Sequence, residues 1–127
     1  MAKATTTKEI PVAETKFNIK LGNKIYTLNF GINTFLRIKA ENPEITTPFH
    51  ILEEKAFFEA VVLLINAAIK PEDRDWTSIE ELNDLYDECE DPNISKVATA
   101  YISAASNVSK KIQPALDAIA AMQKQNA

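Results

Sequence analysis

Between residues 17 and 30 the chain reads FNIKLGNKIYTLNF, with Phe17, Ile19 and Leu21 alternating with polar neighbours and Tyr26, Leu28 and Phe30 doing the same. Alternation with a period of two marks a strand that buries one face. Gly22-Asn23 joins the two runs, and glycine at the first central position suits a type II′ turn, so the pattern predicts a two-stranded hairpin. A lone hairpin is marginal in water, so its apolar face must lie on helices or pair with further strands. The stretch 9–12 offers an extra edge strand, weakened by Pro11.

Beyond the hairpin the apolar period lengthens to that of helices, and prolines mark the changes. A short helix capped by Asn33 and carrying Phe35, Leu36 and Ile38 is predicted up to the break at Asn42-Pro43. Thr47-Pro48 supplies a cap and a first-turn proline for one long helix reaching about Lys70. On its wheel Lys55, Glu59, Asn66 and Lys70 share a narrow stripe, while Phe57, Phe58, Val61, Val62, Leu64, Ile65 and Ile69 cover much of the remaining circumference. Such a helix has to be surrounded, which places it at the centre of the core. Thr77, with Glu80 three residues on, reads as a capping box for a helix whose stripe is Ile79, Leu82, Leu85, Tyr86 and Cys89. Asp91-Pro92 opens another helix, with Ile94, Val97, Ala98, Tyr101, Ala105, Val108 and Ile112 on one face, and Pro114 is expected to kink or end it. The pattern therefore predicts an α+β fold, mostly helical: an N-terminal β-hairpin packed on a bundle of about four helices. Residues 1–15 form a flexible arm in this reading, 16–113 a single globular domain, and 114–127 a helical or frayed tail.

Charge changes the picture. The 127 residues carry a net charge of -4, but unevenly: 1–40 sum to +5, 41–91 to -12 and 92–127 to +3. Binding to nucleic acid depends on Lys and Arg neutralising phosphates, so this balance argues against it and favours a solvated acidic face. Two glycines are too few for a phosphate-cradling loop. One Cys and one His cannot assemble a zinc site, and an unpaired cysteine points to a reducing compartment. The most apolar stretch, Ala56 to Ile69, is shorter than the roughly 20 residues of a spanning helix, and no apolar run follows the N-terminal lysines, so neither a membrane segment nor a signal peptide is expected.

Candidate chemistry is thin. Asp73, Asp75 and Thr77 fall at the first, third and fifth positions of a calcium loop, but Ser78 stands where glycine is needed and Asp84 where a bidentate Glu is needed. Nothing singles out a catalytic pair among the middle acids, and His50 reads as a helix-start residue without a nucleophile. Cys89 reads as a small core residue, and Trp76 either anchors a partner or docks its loop onto the protein's own core. No cofactor, metal or catalytic residue is assigned. The last segment, ALDAIAAMQKQNA, has high helix propensity and a sparse stripe of Leu116, Ile119 and Met122. It reads either as a frayed end or as a partner-binding element.

The order of these parts resembles a family. KFNIKLGNKIYTLNFGINTFLRIKAEN, followed by FFEAVVLLINAAI and WTSIEELNDLYDE, is similar to the tail assembly chaperones of long-tailed phages and prophages of Gram-positive bacteria, over roughly residues 16–113. The resemblance implies a protein that is not an enzyme. Such a protein acts in the host cytoplasm, binds the tape-measure or tail-tube protein, keeps it soluble during tail assembly, forms homo-oligomers and is absent from the mature virion. A structural phage subunit, such as a small head-tail connector, would carry the same features.

Overall fold

In the computed structural model, which describes residues 14–125, two antiparallel strands open the fold: β1 (Lys16–Leu21) and β2 (Lys24–Asn29). Residues 1–13, with the predicted edge strand and all but the last two residues of the predicted arm, lie outside the described residues; of those two, Thr15 accepts the Phe30 amide at 2.8 Å and Glu14 lies 3.4 Å from the Lys96 ammonium. Pairing runs Phe17 with Leu28, Ile19 with Tyr26 and Leu21 with Lys24, so the apolar set shares one face. Gly22 takes φ 65° while Asn23 keeps a negative φ, the combination that lets a two-residue turn follow the strand twist. A Cβ on Gly22 would stand 3.3 Å from the Leu85 side chain, so the turn is also a packing point.

Five α-helices follow among the described residues: α1 (Ile32–Glu41), α2 (His50–Glu54), α3 (Phe57–Ala68), α4 (Ile79–Glu88) and α5 (Val97–Gln125). The mostly helical α+β architecture is thus the observed one. α1 starts earlier than predicted. Asn33 lies inside its first turn, Gly31 takes the cap position without a side-chain bond, and the Thr34 hydroxyl donates back to the Asn29 carbonyl at 2.7 Å. Burial of Phe30 and Thr34 on either side of Gly31 sets the entry of this helix.

The single long helix predicted from Pro48 to Lys70 is two helices. Lys55 and Ala56 are extended, with ψ near 150° and 148°, and Pro48 lies ahead of α2 rather than in its first turn. The break lets Ile51 and the 60–69 stretch enter the core along different lines, both fully buried where their large side chains meet it. α3 touches β2, α1, α2, α4 and α5 and supplies more of the buried centre than any other element. Asn66, assigned to a polar stripe by its type, is buried: its side-chain carbonyl accepts the Trp76 indole N–H at 2.8 Å. Trp76 therefore folds its loop onto the protein's own core.

α4 begins one residue later than the predicted box. Ser78 Oγ accepts the Glu81 amide at 3.2 Å, and Glu81 Oε1 in turn accepts the Thr77 amide at 2.6 Å. The logic is that of the capping box, moved one step along the chain. Asp91 caps a 3-10 turn, Pro92–Lys96, that leads directly into α5; its carboxylate also accepts the Lys20 amide at 2.9 Å, tying that turn to β1.

A second tie fixes the hairpin. Asp75 Oδ2 accepts the Lys24 ammonium and the Tyr26 hydroxyl, both at 2.7 Å, while the Tyr26 ring packs 5.3 Å from Trp76. The bond from Lys24, then that from Tyr26, holds the Asp75 carboxyl below its usual range, as the amides of Asn93 and Lys20 do for Asp91. Burial, reinforced by Asp75, pushes Tyr26 up to about 12, and burial alone does the same for Tyr101, whose hydroxyl donates to the Pro48 carbonyl.

Two outcomes are expected. Leu64 is fully buried at the centre of α3, and Leu64→Ala should cost about 2–5 kcal/mol in denaturant unfolding. Because the tyrosine values are raised on folding, their stabilising contribution is complete below the ordinary value of 10.0 and is lost as pH rises through about 12. Thermal melts should therefore fall across that window, and Tyr26→Phe should flatten the fall.

Candidate interaction surface

Pro114 does not end α5: the helix runs 29 residues, with the proline inside it. Proline removes one amide donor and crowds the carbonyl four residues back, here that of Lys110. Lys110 is exposed, so water can take up that carbonyl. Alanine at 115, 118, 120 and 121 then favours helix on the far side.

α5 has two halves with different surroundings. Val97, Ala100, Tyr101, Ala104 and Ala105 are buried against the rest of the fold, whereas every residue from Lys110 to Lys124 is exposed. At 1.5 Å per residue, that outer half is an arm about 20 Å long. Leu116, Ile119 and Met122 lie on it, exposed at 48%, 50% and 60%. With Ile112 they recur at intervals of four and three residues, which keeps them along one side of the helix. Lys110, Lys111 and Lys124 flank them, with Asp117 bonded to Gln113 at 2.9 Å. At the root of the arm an open groove of about 340 Å³ is lined by Phe30, Ile32, Val108 and Ile112, so the apolar surface continues onto the body.

A second exposed apolar surface was not legible in the sequence. Phe57 and Phe58, counted there among the side chains that a surrounding core would cover, are 66% and 68% exposed. They stand where α3 begins after the extended Lys55-Ala56 link, bordered by Glu53, Glu54 and Glu59, while Lys55 pairs with Glu44 at 3.8 Å. No glycine or proline announces this corner.

The other candidate residues make contacts within the fold. His50 Nδ1 accepts the Thr46 amide and Nε2 lies 3.3 Å from Glu54, holding the short α2. Cys89 ends α4, half-buried, with its thiol 3.3 Å from the Lys20 carbonyl. Asp75 serves the hairpin, and among the described residues no cluster of His, Cys, Asp or Glu is suited to a metal. An open pocket of about 330 Å³ between α1, α3 and α4 contains Arg74, whose Nε donates to the Ile69 carbonyl and whose Nη1 lies 3.8 Å from Glu41. Burial lowers the pKa of that guanidinium, against the opposing pull of Glu41. No described helix is long and apolar enough to cross a membrane.

No family model, curated protein or solved structure matches this chain. The arrangement of the molecule is what bears on its role. It combines a packed body with a basic arm whose apolar side chains have no cover. Each of the three, if fully buried, would contribute roughly 1.5–3 kcal/mol before ordering costs are deducted.

Since Leu116, Ile119 and Met122 are bare, deleting residues 115–127 should leave the melting temperature of the dilute protein nearly unchanged by circular dichroism. A large drop would place the arm within the folding unit.

Proposed function

We propose that this protein is a tail assembly chaperone of a long-tailed phage or prophage, which binds the tape-measure or tail-tube protein and keeps it soluble until the tail is built. The observation that carries the reading is the exposed apolar stripe on the outer half of α5, in a chain whose segment order resembles that family. A tape-measure protein is long and helical, and its apolar stripes would aggregate if left bare. An amphipathic arm can cover such a stripe by helix-to-helix packing, with Leu116, Ile119 and Met122 as anchors. The acidic middle of the chain, net -12 over 41–91, would keep the assembly in solution through charge repulsion.

This role requires no catalytic step and no cofactor. It places the protein in the host cytoplasm during assembly and outside the finished virion. The same arm would suit a head-tail connector only if the protein stayed in the particle.

Co-expression with the tape-measure and tube proteins encoded beside it should raise their soluble fraction, and the chain lacking residues 115–127 should not. Mass spectrometry of purified virions should find none of this protein. Stoichiometric presence in the particle would make it a structural subunit instead.

A further inference from the structure

The two bare apolar surfaces carry opposite charge. The arm over 110–124 holds Lys110, Lys111 and Lys124 against Asp117, a net of +2. None of these three lysines enters an ion pair among the described residues. The corner over 53–59 holds Glu53, Glu54 and Glu59 against Lys55, a net of -2, with Lys55 already engaged by Glu44. Each surface therefore presents apolar side chains inside a frame of one net sign. We propose that the arm of one copy docks on the Phe57-Phe58 corner of a second copy of this chain.

Charge selects this pairing over the two simpler ones. Arm against arm would bring lysines together around the leucine, isoleucine and methionine contacts, and corner against corner would do the same with glutamates; like charges at a dehydrated contact are unfavourable. Arm on corner puts Lys110 and Lys111, or Lys124, near Glu53 and Glu59 while Leu116, Ile119 and Met122 cover the two phenyl rings. Aromatic side chains are effective anchors at interfaces because they bury a large area with few rotatable bonds. The contact is between different surfaces of the two copies. A reciprocal exchange closes it as a dimer, and a one-way succession extends it. The docked copy would use the same Leu116, Ile119 and Met122 that the tail-protein reading assigns to a partner, so the two compete for the arm, and measurements on the chain alone report only the self-contact.

Sedimentation velocity of the full chain over a range of concentrations tests it, with Leu116→Ser/Ile119→Ser as the arm variant and Phe57→Ser/Phe58→Ser as the corner variant. The wild-type chain should self-associate, more weakly as salt rises. Each variant alone should associate about tenfold more weakly or worse, and a mixture of the two should recover a complex, because each supplies the surface the other lacks. All four positions are exposed, and a melt of each variant checks folding. If a serine variant melts low, the chain carrying Lys110→Glu/Lys111→Glu and the chain carrying Glu53→Lys/Glu59→Lys replace the pair, with the same recovery expected on mixing. A wild-type chain that stays monomeric at high concentration, association insensitive to salt, a folded corner variant that associates like wild type, or folded variants that fail to recover on mixing would each overturn the proposal.

Discussion

The burial of α3 is the constraint around which the rest of the fold is arranged. Its twelve residues, FFEAVVLLINAA, are apolar on too many sides to rest on a surface. From Ala60 onward the helix has to be enclosed, and β2, α1, α2, α4 and α5 all come to it. The hairpin gains the helical support that a two-stranded sheet lacks in water. Even the polar side chain beyond Ala60 is drawn in: Asn66 is buried because the Trp76 indole satisfies its carbonyl. The first turn of α3 escapes that enclosure, since the chain bends at Lys55-Ala56, and this leaves Phe57 and Phe58 outside.

The connections around this centre are polar and specific. Asp75 and Asp91 each accept two donors and stitch the hairpin to segments far along the chain. These bonds are near the surface, where each contributes modestly, so their effect is to fix the position of the hairpin. Once the hairpin, α1 and the inner half of α5 have covered α3, no core surface remains for the outer half of α5. Its alanines keep it helical, its lysines keep it hydrated, and its apolar stripe stays available. The binding role proposed for the arm rests on that division of one helix into an anchored half and a bare half.

The hairpin was readable in the sequence because a period of two, a glycine in the right place and a matched length of strand all agree. The fold class followed from the same agreement along the helices. Elsewhere local chemistry was ambiguous. Thr77 and Ser78 both bear the hydroxyl that a cap requires and each has a Glu three residues on, so the local pattern fits either frame, and the helix takes the one with Ser78 and Glu81. Lys55 and Ala56 are good helix formers, so the break between α2 and α3 reflects packing on either side of it. Pro114 signals a stop, yet the helix continues through it, with the orphaned Lys110 carbonyl open to water and helix-favouring alanines beyond it. The sparse stripe of Leu116, Ile119 and Met122 could be picked out as too thin for a core, whereas exposure of Phe57 and Phe58 depends on that unannounced break.

The central claim is that the core is complete without the arm, whose apolar stripe is covered only by what it binds. Amide hydrogen exchange resolved along the chain measures this directly, in dilute protein and again with a bound partner or at high concentration. The account predicts strong protection of α3 throughout, fast exchange over 110–124 in the dilute chain, and protection of that segment once a partner or second copy is present. Protection of 110–124 equal to that of α3 in the dilute, monomeric chain would contradict it.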